Sequence, residues 1–443
     1  MSRLEQRVFG FTHESRFFLY EPLSGIAIEV NASAYEEFER LESNIADKTH
    51  NEENPFFNKL KEAGLYTKKA AGLPKTRRIP FEPTAVSLLM TQKCNLRCVY
   101  CYADGGEGKN VLNFSVAKGA IDLLGDNCHK NDKRAMSISF HGGGEATLEM
   151  DLVKRCTEYA RKVARCVNAS VSFDIGTNGI TTAADATWIG LNLHSATLSI
   201  DGDKTRHDLT RPMRNGESSY DRTIATAHIW DRLEFSYSVR ATITDSTVMH
   251  MGQMVESLCF ETSAKTIKME PVFFQGRAVG TGIAPPQPEA FVREFISAEE
   301  IASYHGRKLT YSGLRTNVTT DRFCNAVGRS FCVTPTGDVT SCYEVITPGD
   351  ARSYLFYYGK WDPEKKRFQI DENRQDLQYK LTVDNYPECS KCFCKWHCAG
   401  DCPAKSEVNE GKRAPNKQRC QITRALTSRA IVSMLDQIAT ASE

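Results

Sequence analysis

The sequence has no apolar run of the length that crosses a membrane, and its first residues, MSRLEQRVFGFTHES, lack the apolar core of a secretion signal. Charge of one sign is missing too. The 56 Lys and Arg residues face 55 Asp and Glu, and a net charge of +1 draws the chain to neither nucleic acid nor an anionic membrane. There are no internal repeats and no low-complexity tracts. These absences predict a cytoplasmic, reducing location with no nucleic-acid or membrane partner. What remains is ordinary for a globular protein: 443 residues, 41% hydrophobic and 25% charged, enough for two or three domains with their own cores.

Cysteine is present in excess. Cys94, Cys98 and Cys101 form a C-x3-C-x2-C triplet in the string CNLRCVYC. Nine more, Cys324, Cys332, Cys342, Cys389, Cys392, Cys394, Cys398, Cys402 and Cys420, fall within 97 residues. In a chain without an export signal this density points to metal rather than disulfides. Structural zinc is closed by four ligands, and no obvious fourth lies near the triplet. Three thiolates on a four-iron cluster would leave one iron open. For the C-terminal set, two crossed zinc sites are a physical alternative to iron–sulfur clusters. Cys128, Cys156, Cys166 and Cys259 lie on helical patterns and read as core or partly buried thiols.

The chain reads as an α/β protein with smaller units at each end. Residues 1–66 hold two strand-like runs, RFFLYE (16–21) and GIAIEV (25–30). Two helices follow. The first is opened by a Ser33–Glu36 capping box and the second by Asn54-Pro55, with Gly64 as its stop. Strand, strand, helix, helix is a small winged-helix pattern. Residues 67–83 read as a linker. From 84 to 311 strands at 84–90, 135–140, 170–176, 195–200, 235–243 and 265–271 alternate with helices such as 149–167 and 218–231. That alternation predicts a parallel sheet rolled into a partial (β/α)6 barrel, with functional residues at the C-terminal strand ends. Residues 312–443 are loop-rich and cysteine-rich, depend on metal for their fold, and end in a helix over 421–440.

The string KCNLRCVYCYA, following the first barrel strand, resembles the radical S-adenosylmethionine (SAM) enzymes. HGGGE (141–145), GTNG (176–179) and SIDG (199–202) end the next three strands, as in that family. The resemblance implies a [4Fe-4S] cluster on Cys94, Cys98 and Cys101 that binds SAM and cleaves it to a 5′-deoxyadenosyl radical. It assigns the SAM amino group to Gly143, Gly144 and Glu145, and the ribose to Thr177 and Asn178. Arg211 and Arg240 are both candidates for the SAM carboxylate. Tyr100 either packs on the adenine or shields the cluster. Asp201 is a candidate for orienting substrate or SAM, and His141 reads as structural.

The C-terminal spacing, Cys324-x12-Gly337-x4-Cys342 and then Cys389-x2-Cys392-x5-Cys398-x3-Cys402-x17-Cys420, resembles the SPASM domain of peptide-modifying radical SAM enzymes. The resemblance implies two auxiliary [4Fe-4S] clusters, three in all. Cys389, Cys392, Cys398 and Cys420 would hold the distal one, and Cys324, Cys342 and Cys402 the proximal one. Cys332 either completes the proximal cluster or is a buried thiol, and Cys394 reads as a bystander. Two classes share this domain: anaerobic sulfatase maturases, which make formylglycine, and maturases of ribosomally made peptides. The N-terminal pattern resembles a RiPP recognition element, which takes a leader peptide as an added strand. A structural cap is its alternative. Tyr343 and Glu344 stand where sulfatase maturases carry Asp. The expectation is therefore a peptide maturase that installs a thioether or carbon–carbon crosslink. Its partners would be a leader-bearing precursor peptide and a one-electron reductant such as flavodoxin or ferredoxin. Tyr343, Glu344 and Asp201 are its candidate acid–base residues. Formylglycine formation and a non-enzymatic electron carrier are the other readings.

Overall fold

The computed structural model describes residues 8–43, 54–66, 75–409 and 412–441, so the first part of the expected linker lies outside the described residues. The chain divides into two compact units. One draws on Met1–Arg77, Gly313–Cys324 and Lys380–Glu443, the other on Arg78–Ser312 and Asn325–Tyr379.

The first unit opens with three antiparallel strands, β1 (Phe9–His13), β2 (Arg16–Glu21) and β3 (Ile26–Val30), in that order across the sheet. The sequence reading missed β1. Gly10 interrupts its alternation, and the glycine is there because the Tyr35 ring lies against it: a Cβ at that point would sit 2.8 Å from Tyr35 Cε2. Helices α1 (Ala32–Ser43) and α2 (Pro55–Glu62) follow. Asn54 caps α2 as expected, accepting from the Phe56 amide at 2.8 Å. The expected Ser33 cap on α1 is corrected, because Asn31 Oδ1 accepts from the Ala34 amide at 2.9 Å. One apolar cluster joins Val8 and Leu19 of the sheet region to Phe38 of α1 and Leu60 of α2. The C-terminal segment of this unit carries short helical turns and an antiparallel strand pair, Glu407–Asn409 with Lys412–Ala414, before the long helix Lys417–Ala441. Among the described residues no helix is long and apolar enough to cross a membrane.

The second unit is the expected partial barrel. Strands β4 (Ala85–Leu89), β5 (Ala135–His141), β6 (Ser170–Thr177), β7 (Ser195–Ser199), β8 (Tyr237–Ile243) and β9 (Thr266–Pro271) pair in sequence order, all parallel. A short strand β10 (Lys308–Thr310) extends the sheet beyond β9. Helices α3 (Phe114–Lys130) and α4 (Met150–Cys166) lead the layer that covers one face, with α3 against β4 and β5 and α4 against β6. The strands alternate accordingly. On β8 Tyr237, Val239, Ala241 and Ile243 are buried, while Ser238, Arg240 and Thr242 occupy the other face. The other edge continues beyond the expected boundary at 311. Strand β11 (Cys332–Val333) pairs parallel to β4, and β12 (Asp338–Thr340), β13 (Tyr357–Asp362) and β14 (Arg367–Ile370) add to it antiparallel. The segment predicted as one C-terminal domain, 312–443, is therefore shared between the two units.

Candidate active site

Parallel strands bring their C-terminal ends to one edge, and the loops leaving β4 to β7 meet there. The cysteine triplet lies on the loop after β4. Its sulfurs are ringed by donors. The amides of Leu96 and Gly105 point at Cys94 and Cys101 Sγ (3.4 and 3.3 Å), Asn178 Nδ2 lies 3.9 Å from Cys94 Sγ, and Arg211 Nη1 lies 3.8 Å from Cys98 Sγ. Backbone amides and a guanidinium aimed at sulfur suit thiolates more than thiols. Burial, helped by Glu145 at Cys94 and by the neighbouring triplet cysteines at both, pushes the thiols up, Cys94 to about 11 and Cys98 to about 12. A cationic metal group that displaces the protons fits this donor set.

The loop after β5 passes so close to the triplet loop that only glycine fits. A Cβ on Gly144 would be driven into the Lys93 carbonyl, and one on Gly143 into the Ile346 side chain. The Gly144 amide instead donates to Thr91 O at 3.0 Å, and the Glu145 amide to Lys93 O at 2.8 Å. Gly144→Ala should therefore push this loop and the triplet loop apart, costing about 1–3 kcal/mol as an overpacked site. A lower midpoint of urea unfolding, with lower iron content, is the expected readout.

The Glu145 side chain is fixed by its neighbours. It is buried and takes four hydrogen bonds: Oε1 from Thr147 N (3.0 Å), Thr147 Oγ1 (2.8 Å) and Thr177 Oγ1 (2.7 Å), and Oε2 from Asn178 N (2.8 Å). Three of the four fall on Oε1, so Oε2 keeps an acceptor position that an ammonium ligand could use. Thr177 and Asn178 are engaged as well. Thr177 Oγ1 accepts from the Gly179 amide (2.9 Å), and Asn178 Nδ2 donates to Asn95 Oδ1 (2.8 Å). The three residues bracket the ends of β5 and β6 to the triplet loop.

Asp201, after β7, is likewise enclosed. Tyr100 Oη donates to its Oδ2, Thr210 Oγ1 donates to the same oxygen at 2.7 Å, and the Thr242 amide donates to Oδ1 at 3.0 Å. Arg211 Nε pairs with Oδ2 at 3.1 Å, and its guanidinium lies over the Tyr100 ring at 5.4 Å. Burial disfavours the charge on Asp201, but Arg211 and the Tyr100 hydroxyl outweigh it and hold the carboxyl below its usual range. Asp201 thus holds Tyr100 and Arg211 beside Cys98, and its own oxygens face protein groups. Arg240 differs. It stands level with Ser199 across the β7–β8 pair, and Glu270, Tyr343 and Glu344 outweigh burial to raise its pKa.

No protein-family model matches the chain. A cysteine-type anaerobic sulfatase-maturating enzyme of Clostridium perfringens is 21% identical over 350 residues, covering 74% of this chain and 90% of that enzyme. The chain is homologous to sulfatase-maturating radical SAM enzymes. It is an enzyme. The fold agrees. A solved structure of anSMEcpe with bound AdoMet superposes with a TM-score of 0.65 at 17% identity, covering 81% of this chain and 96% of that one. Streptococcus suis SuiB bound to the precursor peptide SuiA superposes with a TM-score of 0.51 at 12% identity, covering 94% of this chain and 99% of SuiB.

Tyr343 and Glu344 lie at the same end of the barrel sheet. The Tyr343 ring stacks on His141 with centroids 4.5 Å apart, and Glu344 Oε2 accepts from Gln275 Nε2 at 3.3 Å. Arg352 holds Gln275 in turn, through Nη1 to Oε1 at 2.7 Å. The sequence reading did not single out Asn95, Gln275 or Arg352, because nothing local marks them; each acts across the sheet edge. His141, read there as structural, supports the Tyr343 ring. Cys332 is fully buried with Leu89 and Ile346, the surroundings of a packing thiol.

In the first unit Cys389, Cys392, Cys398 and Cys420 converge. The Cys398 thiol is pushed well up by burial and by Asp401, Cys420, Cys389 and Cys392, and the Cys420 thiol to about 12 by burial, Asp401 and Cys392. Cys394, read as a bystander, is buried beside them, and its hydrogen bond to Cys392 holds that thiol below the ordinary range. No two cysteines among the described residues are joined in a disulfide. Among the described residues no group of three His, Cys, Asp or Glu side chains is arranged to hold a single metal ion. Four clustered cysteines, of which Cys389, Cys398 and Cys420 oppose one another's ionisation, are a donor set that a cationic group would let ionise.

Proposed function

We propose that the protein is a radical SAM peptide maturase that removes a hydrogen atom from a ribosomally made precursor peptide and closes a thioether or carbon–carbon crosslink. Its single strongest support is the donor-ringed triplet Cys94, Cys98 and Cys101 at the mouth of a parallel β/α barrel. When bound there, a reduced four-iron cluster with SAM would supply a 5′-deoxyadenosyl radical able to attack an unactivated C–H bond.

The chain's own residues do the rest. The triplet holds the cluster, and Arg211, fixed by Asp201, offsets negative charge beside Cys98. Backbone groups of Gly143 and Gly144, with the Glu145 Oε2 that accepts only from the Asn178 amide, face the SAM amino group. Arg240 receives the SAM carboxylate in preference to Arg211, whose charge is already met. Tyr100, tethered to Asp201, screens Cys98. Tyr343 and Glu344 border the reacting peptide, with His141 and Gln275 fixing their directions. Cys389, Cys392, Cys398 and Cys420 would hold an auxiliary cluster able to accept the electron released as the substrate radical closes the crosslink and a proton leaves, while a flavodoxin or ferredoxin supplies the electron that cleaves SAM.

The peptide reading is preferred to formylglycine formation on two grounds. The first unit carries a three-stranded sheet whose outer strand β3 pairs only with β2 among the described residues, an edge on which a leader can add as a strand. Tyr343 also replaces the Asp expected of a sulfatase maturase. The test is anaerobic turnover with SAM, a reductant and a precursor peptide encoded beside the gene. Loss of two hydrogen atoms, located by fragmentation to a bond between side chains, is the expected product. Conversion of a sulfatase peptide to formylglycine, with the precursor untouched, would contradict the reading.

A further inference from the structure

The three-stranded sheet of the first unit has two differently employed faces. Leu19 points to the helices α1 and α2, as described above. Phe9, Phe11, Phe18 and Tyr20 point the other way and share one core with Phe393, Trp396, Cys389, Cys398 and Ile431. Phe11 stacks on Phe393 with centroids 4.6 Å apart. The sheet is thus built directly onto the segment that carries the four-cysteine set.

A buried polar contact crosses this core. Tyr20 Oη lies 2.7 Å from His397 Nε2, and His397 Nδ1 lies 2.7 Å from the Val318 carbonyl. A carbonyl only accepts, so Nδ1 carries the proton, Nε2 is the acceptor, and the Tyr20 hydroxyl donates. Tyr20 and His397 are both at most 4% exposed, so neither can exchange its partner for water. His397 sits in the short helix Lys395–Cys398, one residue before Cys398, and its amide donates to Cys394 O at 3.0 Å. Fixing the His397 ring therefore fixes the turn that presents Cys398.

We propose that Tyr20 and His397 are positioning residues that join the N-terminal sheet and the four-cysteine set into one folding unit, so that loading the set with iron–sulfur orders the sheet. This rests on the reading of the set as a cluster site. Cluster binding free energy is folding free energy for the segment that supplies the ligands, and elements sharing its core gain from it. The consequence is a loading check. Without its auxiliary cluster the enzyme holds β1 and β2 loosely, and a peptide that needs the sheet edge is bound weakly.

Hydrogen exchange of the full-length protein tests this. Amides of Phe9–His13 and Arg16–Glu21 should lose about tenfold or more of their protection in Cys389→Ser, equivalent to one or two hydrogen bonds of stability, while α4 of the barrel keeps its own. In loaded Tyr20→Phe the same strands should lose about fivefold, the worth of one hydrogen bond. Equal protection of β1 and β2 in wild type and Tyr20→Phe would overturn the proposed contact. Unchanged strand protection in a Cys389→Ser protein that has lost iron would overturn the coupling to loading. A Cys389→Ser protein with full iron and sulfide would instead overturn the cluster reading, and the Tyr20→Phe comparison would still decide whether sheet and segment are one unit.

Discussion

Replacing Cys94, Cys98 and Cys101 together by alanine is expected to abolish reductive cleavage of SAM and to lower the iron content by about four atoms per chain. The effect should be complete because the remaining cysteines cannot substitute. Cys128 and Cys156 are buried on helices α3 and α4, and Cys332 is enclosed in strand β11. The fold should survive the change. The amides of Leu96 and Gly105 contact the sulfurs from a loop, and the β4–β5 ladder beneath does not include them. Iron analysis with chromatography of the anaerobic reaction reads both quantities. Deoxyadenosine formed at an undiminished rate would place the radical chemistry elsewhere.

The second large effect separates two arginines. Asp201→Ala removes the partner of a buried Arg211 and should cost about 3–5 kcal/mol of stability, because an uncompensated charge is left inside. Arg240→Ala should weaken SAM binding about 10–100-fold, the worth of a charge-assisted contact of about 1.5–3 kcal/mol. Thermal unfolding and equilibrium binding of SAM give the two readouts. The reverse pattern, with Asp201→Ala stable and Arg240→Ala binding normally, would exchange the roles. The pH dependence has a defined sign. The folded pKa of Asp201 is lowered, so its stabilisation is fully present above the unfolded carboxylate value of about 3.9 and is lost as pH falls through the lower folded value. Asp201→Ala should therefore show a smaller loss of stability on acidification than the wild type.

The barrel was legible because its strands are punctuated. Each apolar run ends in a Gly, Asn or Asp loop, and all six expected strands lie within a residue or two of the observed ones. The N-terminal sheet was half legible, since Gly10 hid β1 and Asn31 took the capping role that Ser33 promised. The roles of motif residues were less visible than their positions. Nothing in HGGGE or GTNG says that Glu145 spends its acceptors on Thr147, Thr177 and Asn178, because those bonds join loops from different strands. The same holds for Asp201 and Arg211, which look like separate ligand contacts in sequence and form one ion pair in space. Continuation of the sheet through β11 to β14 depends on long-range pairing with β4, which no local pattern announces.

The most direct test of the central claim is isotope transfer. A precursor peptide deuterated at the carbon that becomes crosslinked is turned over anaerobically with unlabelled SAM, and the 5′-deoxyadenosine is weighed. Deuterium in the deoxyadenosine, in step with crosslinked peptide, is the predicted result. Crosslinked peptide accompanied by unlabelled deoxyadenosine, or no deoxyadenosine from the fully iron-loaded enzyme, would contradict it.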